Sequence, residues 1–361
     1  MPVSAVGCAE RAIAMTDHEE RKIERWERTL TQSPPQGGDP GERLQVSFLH
    51  KGFCIAGLPL RRPRDANQPW SRQDGRFALT VGPSRFTLPD GRTIDVGIPF
   101  GPKARLLTMW LTTEARDPGR GVGDRWIELG RITDWLQAVG LPVTGGERGS
   151  IGATKDQLLR LAFSNFTMIL RGEDATTLFK REVLIEAGAF GTEDLEMWSS
   201  GSLGSMNWPH GLKLSANAFE RFRRHSVAIP TARLRQVAHN ALSIDLLVYL
   251  CFRLPLIDKG ESDLIRWQDL NAQFGTSEFT SKFRQSSSES LKHALEAYPE
   301  ARVEVTAEGL ILRPSDPLEL RRAFYAPATP RKPAPRLRPV QRTSAGMRAA
   351  AEGAQKLAVR R

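Results

Sequence analysis

Two stretches of the chain gather hydrogen-bond donors and positive charge at helical spacing. In the first, Arg148 precedes a segment carrying Lys155, Gln157 and Arg160; in the second, Ser281, Lys282, Arg284, Gln285, Ser288 and Lys292 follow one another closely. Guanidinium, ammonium, amide and hydroxyl groups of this kind hold phosphate oxygens and read the donor and acceptor pattern of base-pair edges. On a helix successive side chains turn by about 100°. In the first stretch Ile151, Leu158, Leu161 and Ala162 therefore form the inner side, and Asp156, Gln157 and Arg160 are expected to point outward. Lys155 falls nearer the apolar side, from where a long stem can carry its ammonium to a phosphate. In the second stretch Phe283, Leu291, Ala294, Leu295 and Tyr298 form the inner stripe. The six polar residues then share the outer face with Glu289, and Arg284 lies at its edge.

Groups for covalent or metal-assisted chemistry are sparse. The histidines, His18, His50, His210, His225, His239 and His293, never approach metal-ligand spacing, and Cys8, Cys54 and Cys251 stand too far apart for a zinc or redox motif. The run Gly145-Gly146-Glu147-Arg148-Gly149-Ser150 resembles a phosphate-binding loop, but Lys155 follows Thr154 instead of glycine, so it reads as a turn between helices. Acidic pairs such as Glu193-Asp194 have the look of a solvated loop. No enzyme, cofactor or metal is expected. A nicking relaxase using Tyr249, Tyr298 or Tyr325 is the enzymatic alternative.

The elements that must position the two donor sets recur in one order. The first copy opens with a helix over 102–114, where Gly101-Pro102 supplies the start and Leu106, Leu107, Trp110 and Leu111 form an apolar stripe. A strand over 126–129, a helix over 131–139, a glycine-rich turn and a longer helix from Ser150 follow, with strands over 166–170 and 181–186 forming a hairpin. The second copy opens with a nearly wholly apolar helix over 241–254. A strand over 264–266, a helix over 267–274 stopped by Gly275, a tight turn, a long helix through Tyr298 and a hairpin over 302–313 complete it. Helix, strand, helix, turn, helix, hairpin is the order of a winged helix, in which the second helix of the helix-turn-helix enters the major groove. The longer first copy is credited with extra strands at 195–198 and 212–214. A helix over 216–224 and Pro230 divide the copies. The hairpin ends, around 171–180 and at Ala307-Glu308, are candidate backbone contacts.

The totals agree with this picture. The chain has 361 residues, 40% of them hydrophobic, enough for two or three domains. No signal peptide is read at the start, and the most apolar stretch, 241–257, is broken by Asp245, Arg253 and Pro255, so no membrane span is expected. The formal charge is +10, and it is unevenly placed: residues 326–361 hold nine Lys or Arg against one Glu, while residues 1–46 hold six against eight acids. Specific contacts must therefore come from placed side chains, and 326–361, poor in large apolar residues, reads as a disordered basic tail. The segment over 17–32 reads as a charged, solvated helix with only Ile23, Trp26 and Leu30 apolar.

Several runs in order, Phe48-Leu49-His50-Lys51-Gly52-Phe53-Cys54, Leu58-Pro59-Leu60-Arg61-Arg62-Pro63, Gly97-Ile98-Pro99-Phe100-Gly101-Pro102-Lys103-Ala104-Arg105-Leu106-Leu107, Ile127-Glu128-Leu129-Gly130-Arg131, Leu141-Pro142-Val143-Thr144-Gly145-Gly146, Ala241-Leu242-Ser243-Ile244-Asp245-Leu246, Gln273-Phe274-Gly275 and Tyr298-Pro299-Glu300-Ala301-Arg302-Val303, resemble the plasmid-encoded RepA replication initiators of alphaproteobacteria. The resemblance covers 47–315. It implies a cytoplasmic protein that binds repeated duplex sites at a plasmid origin, works with the host replication initiator and replicative helicase, and represses its own gene as a dimer. One departure is visible: where such relatives tend to carry arginines in the second reading helix, this chain has Gln285-Ser286-Ser287-Ser288. Phe48 to Cys54 is assigned to packing alone. The expected fold is α+β, with two tandem winged-helix domains. An N-terminal segment covers 1–46, the first domain with extra strands 47–227, the second 228–316, and a basic tail 317–361. A winged-helix repressor without initiator activity is the nearest alternative.

Overall fold

The computed structural model describes residues 17–31 and 45–320, apart from positions 66, 76, 89, 122, 147–148, 172–176, 277–279 and 317. Arg148, Tyr325 and the tail over 326–361 lie outside the described residues, as do residues 172–176 of the first hairpin end.

The chain begins with helix α1 (Asp17–Thr31), strand β1 (Val46–His50) and the short helix α2 (Lys51–Ile55). Four strands follow, β2 (Trp70–Asp74), β3 (Phe77–Gly82), β4 (Ser84–Thr87) and β5 (Thr93–Val96). Helix α3 (Gly101–Ala115), β6 (Trp126–Glu128), α4 (Ile132–Ala138) and α5 (Ser150–Phe163) come next, in the expected order. Then run β7 (Asn165–Arg171), β8 (Thr177–Val183), β9 (Ile185–Gly188), α6 (Thr192–Ser199), β10 (Gly211–Leu214), α7 (Ala216–Arg224), β11 (Ser226–Pro230) and α8 (Thr231–Val237). The last part is α9 (Ala241–Arg253), β12 (Asp263–Arg266), α10 (Trp267–Phe274), α11 (Thr280–Ala297), β13 (Val303–Val305) and β14 (Gly309–Leu312). Mixed helix and strand make this an α+β fold.

The local causes are visible. Gly101 takes φ +76°, which an L side chain rarely adopts, and Pro102 then starts α3 with its fixed φ. Asn240 caps α9 by accepting a hydrogen bond from the Ser243 N–H at 3.0 Å. Because α9 is apolar almost all round it is buried on nearly every side, and it is the centre of a hydrophobic core that also takes in α3, β1, β11 and α10.

One ion pair crosses that core. Arg105 on α3 donates from Nε and Nη2 to the two carboxylate oxygens of Asp245 on α9, each at 2.6 Å, with the side chains 4% and 3% exposed. Its remaining donors go to the carbonyls of Pro59 (3.1 Å), Gly101 (3.0 Å) and Leu58. Every polar atom taken from water is thus re-paired. Gly57 is required there, since a Cβ would stand 2.5 Å from Asp245 Oδ2.

The structure differs from the sequence reading in four places. Strands β2 to β5 are additional to the expected elements; β3 alternates buried and half-buried positions and pairs with both β2 and β7. The hairpin β7–β8 does not close on β6: it extends β2–β3 into a four-stranded sheet ordered β2-β3-β7-β8, and β6 pairs instead with β10, which pairs with β9. The segment 195–198 is helical and lies in α6, while 212–214 is a strand as expected. Helix α1 is not a solvated helix. Ile23, Trp26 and Leu30 are buried, and the Trp26 indole N–H donates to the Ala228 carbonyl at 3.0 Å. In the last part, by contrast, β12, β14 and β13 form the expected antiparallel sheet, with Leu264 opposite Ile311 and Ile311 opposite Glu304.

Candidate nucleic-acid interface

Helix α11 presents its donors as its sequence dictates. Phe283, Ser287, Ser290, Leu291, Ala294 and Ala297 are buried against the core, and a turn of about 100° per residue leaves the other positions outside. Ser281, Lys282, Arg284, Gln285, Ser288 and Lys292 are all exposed, so the structure gathers the whole second set on one face. Arg284 ties this face to the hairpin: its guanidinium lies 5.5 Å over the Trp267 ring and donates to the Ala307 carbonyl at 3.3 Å. The Ser288 hydroxyl donates to the Gln285 carbonyl at 2.9 Å, which leaves its oxygen lone pairs outward. Lys292 stands 3.8 Å from Glu296, both well exposed, an arrangement worth little and easily exchanged for a phosphate contact.

Helix α5 behaves otherwise, and three expectations are corrected there. Lys155 is 6% exposed and its ammonium donates to the Met206 carbonyl; burial lowers its pKa, opposed by the Asp194 carboxylate. Gln157 does not point outward: its Oε1 accepts from the Phe100 N–H at 2.7 Å, and its amide donates to Asp156 at 2.8 Å. Arg160 is 7% exposed, bonded to Asp156 at 2.9 Å and set between the rings of Phe100 and Trp198, 5.5 and 5.6 Å away. Trp198 completes the arrangement by donating from its indole to Asp156 at 2.9 Å. The physical reason is a cover that helical periodicity cannot foresee. Leu88, Ile94 and Val96 of the β4–β5 region, with Trp198 and Met206, pack on Leu159 and close the side of α5 expected to face solvent. No described residue of α5 is exposed. The turn before α5 is knit to it, Ser150 N donating to Thr144 Oγ1 at 2.9 Å and Thr144 N to Ser150 Oγ at 3.0 Å.

The residues considered for catalysis are elsewhere. Tyr249 and Tyr298 are buried, and burial pushes the Tyr298 hydroxyl well above its ordinary range. No group of three metal-ligating side chains occurs among the described residues. His50, assigned to packing, is the centre of a polar cluster that sequence reasoning missed. Its Nδ1 accepts from the Gly52 N–H at 3.2 Å, capping α2, while its Nε2 lies 3.3 Å from Arg221, itself paired with Glu182 at 2.7 Å. Burial first, then Arg221 and Lys51, holds His50 far below its usual pKa. No helix among the described residues is long and apolar enough to cross a membrane.

No curated protein matches the sequence. Among solved structures the chain is similar to a selenomethionine derivative of domains 2 and 3 of RctB, at 16% identity and a TM-score of 0.43, covering 70% of this chain and 88% of that one. A second crystal structure of RctB domains 2 and 3 matches at 14% identity and a TM-score of 0.40, covering 76% of this chain and 100% of that one. A family model described as plasmid encoded RepA protein matches residues 98–269, from the segment between β5 and α3 to the start of α10. That span, which contains α3, α5 and the buried Arg105–Asp245 pair, is what this chain shares with the plasmid-encoded RepA family model.

Proposed function

We propose that this protein is a plasmid replication initiator that binds repeated duplex sites at its origin and carries no catalytic chemistry. The observation that carries the reading is the exposed row Ser281, Lys282, Arg284, Gln285, Ser288 and Lys292 on α11, standing just beyond the matched RepA segment. We read 241–312 as a winged helix, with α10 and α11 as its helix-turn-helix and β13–β14 as the wing. In that geometry α11 lies in the major groove, its amide and hydroxyls reach base edges, and its cations meet the flanking phosphates. The residues 101–214 are read as a second winged helix whose sheet is β6-β10-β9 and whose equivalent helix, α5, is covered; its part in DNA contact falls to the turn over 142–150. Host initiator and helicase as partners, dimerisation, autoregulation and a cytoplasmic site belong to the same reading.

Footprinting on plasmid DNA upstream of the gene tests it. Protection of repeated sites, lost when Arg284 and Lys292 are replaced together, supports the reading; protection unaffected by that change removes α11 from it. A plasmid without its own initiator, supplied with this gene and its repeats, separates initiator from repressor: failure to replicate despite intact site binding favours the repressor. A nicked, covalently attached origin product formed with a divalent metal would overturn the non-enzymatic assignment.

A further inference from the structure

Among the described residues, the sheet β2-β3-β7-β8 is covered on one face only. Arg72, Phe77, Leu79, Val81, Phe166 and Met168 point inward and are buried. On the opposite face the register brings together Ser71, Thr80, Thr167, Arg171, Phe179 and Arg181, and no described residue of that face is buried. Phe179 is 76% exposed, opposite the half-buried Ile169 and one pleat along the strand from Arg181. A single exposed aromatic is unremarkable by itself. Its setting is less ordinary. The outward positions include two arginines, a hydroxyl rung in which Ser71 Oγ and Thr80 Oγ1 lie 2.8 Å apart, and no carboxylate among the described residues. Residues 172–176, which include Glu173 and Asp174, lie outside the described residues.

We propose that this open face binds single-stranded DNA, a base stacking on Phe179 while Arg171 and Arg181 hold the phosphates. An aromatic face beside cations and hydroxyls, with no acid among its described residues, suits an unpaired strand, because unpaired bases offer their faces and a duplex hides them. The covered face of the same sheet, at the edge opposite β8, is tied to the candidate duplex site. Strand β2, at one edge of the sheet, holds the turn before α11 through Arg72, whose guanidinium donates to the Gln273 carbonyl and to the Gly275 carbonyl at 2.9 Å. The preference for DNA over RNA rests on reading α11 as a duplex-binding helix; the capacity to bind a single strand does not.

The test uses the full chain and a fluorescein-labelled oligo(dT) of about 20 nucleotides, longer than the sites of about 4–16 nucleotides usual for such surfaces, followed by anisotropy. Phe179→Ala is expected to weaken binding about fivefold or more, the loss of one base stack, while Phe179→Trp retains it. Arg171→Gln with Arg181→Gln flattens the salt dependence. Thermal stability stays unchanged in all three. Crosslinks from an iodouracil-substituted oligonucleotide fall within 165–183. Oligo(dT) affinity indifferent to Phe179→Ala overturns the proposal, as do crosslinks confined to 326–361 or a loss of self-association alone. A Phe179-dependent preference for oligo(U) overturns the DNA assignment. Oligo(dT) binding that persists when no duplex site is found would sink the proposed duplex-reading function and leave single-strand binding standing.

Discussion

The guanidinium of Arg105 faces the carboxylate of Asp245 through two matched hydrogen bonds inside the core, and it is the contact that joins helix α3 to helix α9 by charge. Neither partner can be removed without stranding the other, so Asp245→Ala should cost about 3–5 kcal/mol. Urea unfolding should show that loss as a shift of the midpoint. A loss below about 1 kcal/mol, the range of exposed pairs, would mean that the pair is not sealed from water as described.

Trp26 predicts that α1 contributes to the stability of the body. Its ring is buried and its indole is bonded to Ala228. Trp26→Ala should destabilise the chain by about 3–5 kcal/mol, and Trp26→Phe, which keeps most of the apolar contact and loses the hydrogen bond, by closer to 1. Equal melting temperatures for the three proteins would show α1 to be undocked in solution.

Arg160 and Lys292 should separate two kinds of arginine and lysine effect. Lys292→Gln should lower duplex affinity evenly across sequences and reduce the salt slope by about 1, with the melting temperature unchanged. Arg160→Ala leaves Asp156 with fewer partners under Trp198, so it should lower the melting temperature while the folded protein keeps its duplex affinity. A reversal of these two outcomes would restore α5 to the interface.

His225 gives a signed pH dependence. Its pKa is lowered to about 4 by burial first and then by Lys51, Arg221, Arg224 and Lys180. Between about 6.5, the ordinary value, and about 4 the unfolded chain therefore binds the proton that the folded chain refuses, and stability falls as pH falls. The melting temperature should drop between pH 7 and pH 5, and His225→Gln should make that drop smaller. A variant with the same slope as the parent would assign the acid sensitivity to other groups, of which buried His50 is the first to examine.

Helices whose partners are local in pattern were legible; surfaces closed by distant segments were not. The apolar run of α9 left little choice but burial, and the two faces of α11 separate as its periodicity requires. Helix α5 carries a comparable polar face, yet Arg160 sits over aromatic rings contributed by Phe100 and Trp198, far away along the chain, and no local signal distinguishes that from exposure. For β3 a signal was present in the alternation of Phe77, Leu79 and Val81. For α1 it lay in the spacing of Ile23, Trp26 and Leu30, which put three apolar groups on one side of an otherwise charged helix. The pairing of β6 with β10 instead of the nearer hairpin depends on α6 and the loops around it, which no alternation pattern encodes.

Gly57 has a bearing on how such genes can exchange parts. Its missing side chain makes room for Asp245, and Asp245 in turn neutralises Arg105, so three residues from separate regions of the gene satisfy one another or fail together. A crossover between related genes that falls between codons 105 and 245 yields a working protein only when both parents carry the same trio, and hybrids from parents that differ there should be recovered with compensating changes at the mismatched position.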